Sequence, residues 1–395
     1  MERPRRKADK EQKMKARKRD NQIKAAAVTI VAVVILAAMV LNMLNIHIFD
    51  FTKTNSATYT SSGTQTFPYP LDEGVNAHYM KASNDSILLY DANNLSFISP
   101  SSGKNTKIVN HFFSEPVVDI SGRYVLTYAQ GKTKFRIDTL TKEICEAETK
   151  QKIISACVAE NGAYAIATTA KSGISEATVY SKSLKKLFTW NSTDSYIIDM
   201  ALNMNGSKLA VAAITSKDAV IQTKVSVIDV KSGETLQSFV YNDSTVMKMK
   251  YVSYSSFYVV CDNALYFVEN NTDQKQLSEA AAKEIICYDF SKNNELRVVY
   301  SAYDTSKKQI LEVFNRRGES RINIALSGEV QSIGGASNVI CLLFGDKVEC
   351  YDGKGGLKST LQLEDKVYNA VYFSNYVYLQ TADKILKQAV KGGQK

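Results

Sequence analysis

Histidine, cysteine and the carboxylates are the side chains here with chemistry to offer, and their spacing restricts each. Histidine is the commonest acid–base group and metal ligand. The chain has three, His47, His78 and His111. Isolated histidines at such spacing make no metal motif, so surface or interface roles are expected. The six cysteines are Cys145, Cys157, Cys261, Cys287, Cys341 and Cys350. None makes a C-x-x-C pair, which argues against zinc and against thioredoxin-like redox chemistry. Cys341 and Cys350 are the exception worth counting. In ICLLFGDKVEC a two-residue Gly345-Asp346 turn pairs Phe344 with Lys347. Counting outward sets Cys341 opposite Cys350 at a non-hydrogen-bonded position, where Cα atoms lie about 4.5 Å apart, within disulfide range. A bulge in the turn would break this register, and buried free cysteines are common in β cores, so a free pair is the alternative.

Carboxylates are scattered. Asp119, Asp199 and Asp289 occupy similar places early in their units, 3, 7 and 5 residues before the turns at Gly122, Gly206 and Asn294. Carboxylates on the innermost strands of a ring would line a channel and hold an ion. The unequal offsets favour ordinary turn or strand-end roles. Tyrosines number 22 against one Trp. Tyr251, Tyr254 and Tyr258, with Tyr368, Tyr372, Tyr376 and Tyr378, would give large amphipathic contact area if exposed on one face. Packing between strands is the plainer reading. No residue is assigned a catalytic role, and no cofactor or metal site is expected.

The elements that must carry these residues are strands. Beyond residue 70 only Gln276–Lys283 (QLSEAAAK) has helical character. The rest is β-branched and aromatic runs broken by Asn, Asp, Gly and Ser. The runs repeat: VVDISGRYVLTY, ACVAENGAYAIATT and DMALNMNGSKLAVAA share a strand, a small polar turn and a second strand. The aligned turns are Asn84, Gly122, Gly162, Gly206, Ser256, Asn294, Ser337 and Asn375, spaced by 38, 40, 44, 50, 38, 43 and 38 residues. A second turn follows, clearest at Gly103, Gly233, Gly318 and Gly355. A period near 40 with four strands per unit is the signature of propeller blades. The last unit runs out after three strands. Thr64–Leu71 (TQTFPYPL) is placed to supply a fourth and so remove the free edges. The expected fold is all-β: a β-propeller of about eight four-stranded blades, with seven as the alternative, preceded by one transmembrane α-helix.

The helix follows from residues 25–44, a run of 20 residues without a charge. At about 1.5 Å per residue it spans roughly the 30 Å hydrocarbon core of a bilayer. The run is longer than a signal-peptide core and exits without a small-x-small cleavage site. Arg3, Arg5, Arg6, Lys7, Lys10, Lys13, Lys15, Arg17, Lys18, Arg19 and Lys24 precede it, and only Lys53 closely follows. Lys/Arg-rich short flanks stay cytoplasmic. The expected organisation is therefore a basic cytoplasmic tail (1–24), a transmembrane helix (25–49), a Ser/Thr-rich tether (50–66) and an extracytoplasmic propeller (67–395). This places the protein in the cell membrane as a single-pass protein. The net charge of +9 belongs to the tail, which carries 11 Lys/Arg against 4 Asp/Glu, whereas the remainder carries 38 against 36. The domain thus has no field that suggests nucleic acid as a partner.

The order of parts, with blades such as VSVIDVKSGETLQSF, resembles an uncharacterised family of membrane-anchored WD-like and quinoprotein-like propellers of Gram-positive anaerobic bacteria. The resemblance implies a cell-surface location and no known activity. WD repeats carry Gly-His and Trp-Asp pairs, quinone-binding dehydrogenases carry Trp-rich docking motifs, and sialidase-type blades carry Ser-x-Asp-x-Gly-x-Thr-Trp turns. This chain departs from all three. The function expected is a non-enzymatic module that binds or scaffolds a protein or cell-envelope polymer. The alternatives are a surface hydrolase or lyase with carboxylates at one end of the channel, and a sensor acting through a membrane partner.

Overall fold

A computed structural model describes residues 66–390, apart from 74–77, 84, 218–219, 278–282, 303–307 and 337. The basic tail with its topology residues, the segment 25–49, the tether through residue 65, His47 and the aligned turn positions Asn84 and Ser337 lie outside the described residues. No helix among the described residues is long and apolar enough to cross a membrane.

Eight four-stranded antiparallel sheets are described, each a blade built from consecutive strands except the last. First strands of neighbouring blades contact one another, so they form the inner wall of a ring. These inner strands include Tyr79–Ala82 in blade 1, Pro116–Ser121 in blade 2, Ile153–Val158 in blade 3 and Tyr196–Leu202 in blade 4. They continue as Val246–Tyr251, Lys283–Phe290, Ser332–Ala336 and Asn369–Phe373 in blades 5 to 8. In blade 8 the three C-terminal strands are completed by Tyr69–Pro70, with Tyr69 opposite Ile385 and Pro70 opposite Lys384. The segment expected to close the ring does so as the outermost strand of the last blade. The helical stretch expected over 276–283 is not a helix at its ends. Gln276 ends one strand and Lys283 begins the next, and the Ala-rich middle lies outside the described residues.

The blades hold together face to face. Second strands read as unbroken apolar runs because both of their faces are buried. In Ile87–Tyr90, Ile87 and Leu89 pack toward blade 8, while Leu88 and Tyr90 pack toward blade 2. In blade 7, Ile340 and Leu342 face blade 6, while Val339, Cys341 and Leu343 face blade 8. Outer strands lose this constraint and become polar, as in Asp273–Gln276, exposed throughout.

Charges also join blades. Lys107 of blade 1 donates to Asp138 of blade 2 at 2.6 Å, and Arg136 grips Asp138 at 2.6 Å, Glu146 at 2.7 Å and Glu143 at 3.1 Å. Lys107, Arg136 and Asp138 are fully buried, and burial of charge is tolerated only when it is paired this way. The turns after the inner strands put Gly122, Gly162, Gly206 and Asn294 in the left-handed region, at φ +55°, +86°, +68° and +59°. This is why the repeat could be aligned on small residues.

Candidate functional site: the lysine-bearing mouth of the channel

All eight inner strands turn back at one end of the ring, and there they enclose a cavity of about 1050 Å³. Every blade contributes to its wall. Strand alternation explains which side chains point in. Lys248 and Lys250 are two apart on one inner strand and therefore share its channel face. With Lys81, Lys292 and, from the outermost strand of blade 7, Lys358, they bring five lysines to the wall, against the acidic residues Asp119, Glu160 and Asp289.

Three of the lysines are held by specific acceptors. Lys81 Nζ donates to the Val118 carbonyl at 2.9 Å. Lys250 Nζ reaches from blade 5 to the Ile120 carbonyl of blade 2 at 3.3 Å. Lys248 Nζ donates to Asp199 Oδ1 at 2.9 Å. Burial pushes the Lys81 ammonium below its usual range; Asp119 opposes this, and the nearby Lys248 and Lys250 add to it. Lys248 goes the other way. Burial acts against its charge, but Asp199 and Asp119 outweigh burial and hold it above the usual lysine range.

The carboxylates fasten inner strands together. Asp119 Oδ2 accepts the Val158 N–H of blade 3 at 2.9 Å. Asp199 Oδ2 accepts the Met249 N–H of blade 5 at 2.6 Å. Asp289 lies 3.4 Å from Arg297, whose guanidinium donates onward to the Ala336 carbonyl of blade 7. Their unequal sequence offsets reflect place along the strand and turn length: Asp119 lies two residues before Ser121 and a two-residue turn, whereas Asp199 lies three before Leu202 and Asp289 one before Phe290, each followed by a longer turn. Among the described residues no three His, Cys, Asp or Glu side chains gather as metal ligands.

The model of the family of unknown function DUF5711 matches residues 53–388. The chain belongs to this family. Solved structures similar in fold to this DUF5711 protein include BamB from Moraxella catarrhalis, with a TM-score of 0.46, 13% identity, and 84% of this chain and 99% of that one covered. Another is the β-propeller domain of Cps50 (Swd1) from Myceliophteria thermophila, with a TM-score of 0.46, 9% identity, and 85% and 100% covered. No curated protein matches.

The other residues singled out in the sequence are dispersed over the DUF5711 propeller. His78 and His111 both lie beside Asp91 of blade 1. His78 Nδ1 is 3.5 Å from the Asp91 carboxylate, and His111 Nδ1 accepts the Phe113 N–H at 3.0 Å. Burial, reinforced by Arg136 and opposed by Asp91, lowers the His111 pKa to about 4. The tyrosines form no common face. Tyr251, Tyr258, Tyr372 and Tyr378 are buried, while Tyr254 (64% exposed) and Tyr368 (56%) sit at opposite ends of the ring and Tyr376 packs on Lys387. Cys145, Cys157, Cys261 and Cys287 lie in four different blades, and Cys341 and Cys350 lie together in blade 7. The lysines are what sequence reading missed. The alternation in VMKMKY, on a strand already placed first in its unit, was the available signal.

Proposed function

We propose that this DUF5711 protein is a membrane-tethered, extracytoplasmic binding module, not an enzyme, that holds an anionic segment of a protein or envelope polymer at the mouth of its channel. The observation that carries this reading is the cavity to which all eight blades contribute, with five lysines against three carboxylates. The carboxylates Asp119 and Asp199 support binding over catalysis, because each is already committed to a main-chain N–H of the next inner strand. The uncharged run 25–44 and its basic flank support the tether and its orientation.

The test is titration of the purified full chain in detergent with polyglutamate, with a glycerol-phosphate polymer, and with neutral dextran. The expected result is binding of at least one polyanion and not of dextran, weakening as salt rises. Lys250→Met and Lys292→Met should each weaken it about fivefold, the effect of roughly 1 kcal/mol for a partly solvated charge. Absence of polyanion binding, or binding indifferent to salt and to both substitutions, would overturn the proposal.

A further inference from the structure

The blade 7 hairpin pairs Val339–Leu343 with Lys347–Asp352 through the Gly345-Asp346 turn, and Phe344 N–H donates to the Lys347 carbonyl at 2.8 Å. That hydrogen bond fixes the alternation. Phe344/Lys347 and Leu342/Glu349 are hydrogen-bonded pairs, and Leu343/Val348 and Cys341/Cys350 are the closer, non-hydrogen-bonded ones. Cys341 and Cys350 are directly opposite, their sulfurs are 2.9 Å apart, and both are thiols. They lie in the apolar layer between blades 7 and 8, with Leu343, Val348 and Leu379, where a thiol has little else to bond. The other four cysteines each lie in a separate blade.

We propose that Cys341 and Cys350 are a built oxidation site that forms a disulfide across the second and third strands of blade 7. Cys350 is the attacking group. The Cys341 thiol donating to its sulfur, helped by Ser359 and Lys358 and opposed by burial, holds Cys350 below the ordinary thiol range. The oxidant is a disulfide-bearing thiol compound or protein. The Cys350 thiolate attacks one oxidant sulfur, the oxidant's S–S bond breaks, and its first thiolate leaves. The Cys341 thiolate then attacks the Cys350 sulfur in the mixed disulfide, the new S–S bond forms, and the second oxidant thiolate leaves. The two protons lost by the cysteines end on the released thiols, and two electrons pass to the oxidant. The partners are nine positions apart, so a local hairpin suffices to bring them together before the neighbouring blade covers them.

Formation in the cell rests on the far-side placement proposed above, because thiols stay reduced in the cytosol. The chemistry of the site does not. Purified full chain in detergent is equilibrated in buffers of oxidised and reduced glutathione, denatured in the presence of an alkylating reagent that caps the buried thiols as they are exposed, and digested with trypsin. Cleavage after Lys347 separates the two cysteines into peptides 322–347 and 348–354. In the oxidising buffers these should appear as one linked species, lighter by two hydrogen atoms than the sum of the free peptides. Cys341→Ala should abolish it. The peptides of Cys145, Cys157 and Cys261 should stay unlinked. Both peptides free and alkylated in the most oxidising buffer would overturn the site. The same digest of protein taken directly from cells separates the two readings. Thiols there, with linkage in the buffer series, would count against far-side placement and leave the site standing.

Discussion

Asp199 accepts the Met249 N–H at 2.6 Å while its second oxygen takes Lys248 at 2.9 Å, so one buried carboxylate joins the inner strands of blades 4 and 5 by two bonds. Asp199→Ala leaves a buried N–H and an ammonium without their acceptor. The expected loss is about 3 kcal/mol, and about half of that for Asp199→Asn, whose amide oxygen still accepts from Met249. Adding Lys248→Met to Asp199→Asn should recover part of the loss. Denaturant midpoints of the four proteins test this. A loss under about 0.5 kcal/mol for the alanine variant would remove the strand-joining role.

His111 should make stability depend on acidity. Its pKa falls from 6.5 to about 4 in the folded chain, so between those values the unfolded chain binds the extra proton. Stability therefore rises with pH through that window. The contribution is complete above about pH 6.5 and is progressively lost toward pH 4, amounting to about 3 kcal/mol. Burial sets this value first; among the charges around the ring Arg136 adds to it, and Asp91 and Asp138 oppose it. Melting temperatures from pH 4.5 to 7.5, compared with those of His111→Gln, isolate it. Equal slopes for the two proteins would refute the assignment.

Gly335 is the passage for Arg297. Its φ is +143°, and a Cβ there would stand 2.1 Å from the Val339 carbonyl oxygen and 2.9 Å from Arg297 Nη1. Gly335→Ala must move the hairpin or displace a guanidinium that bonds across to Ala336. The expected cost is about 3 kcal/mol, from backbone strain together with a disturbed buried charge. Gly345→Ala, near only the end of the Gln331 side chain, is the control and should cost under about 1 kcal/mol. Similar midpoints for the two variants would contradict the passage.

Tyr69 is the clasp of the ring. It pairs with Ile385, its hydroxyl exchanges hydrogen bonds with Asn105 of blade 1, and it is buried. Tyr69→Ala should cost about 3–5 kcal/mol by the usual price of a large aromatic removed from a core. Deleting residues 66–72 bares the edge of Lys384–Ala389 and should shift the protein toward concentration-dependent oligomers. Light scattering reads the second effect, and a monomeric truncated protein of unchanged stability would exclude the clasp.

The blade repeat was legible because its punctuation is chemical. Gly122, Gly162, Gly206 and Asn294 sit where φ is positive, and Gly103, Gly233, Gly318 and Gly355 mark the second turns in the same way. In the last unit the left-handed position is Ser374, one residue before the aligned Asn375. The long spacing from Gly206 to Ser256 comes from the ten-residue strands Lys208–Lys217 and Val220–Asp229. The facing of Cys341 and Cys350 could be counted from a two-residue turn because hairpin register is local. The work of Asp119 and Asp199 could not, because their acceptor bonds end on the next blade, 39 and 50 residues away. Lys250 and Ile120 lie 130 residues apart and meet only because the ring brings blade 5 across from blade 2.

Closure by Tyr69 on Ile385 also imposes an order in time. The first strand of the domain has no partner until the third strand of the last blade exists, more than 300 residues later in synthesis. Until then a growing chain carries an unfinished ring with two open edges and an apolar blade face at each. Completion is a single late event in which the beginning of the domain waits for its end. Contacts this distant in sequence are slow to form, so the interval before closure is when the chain is most exposed to chaperones, proteases and its own neighbours.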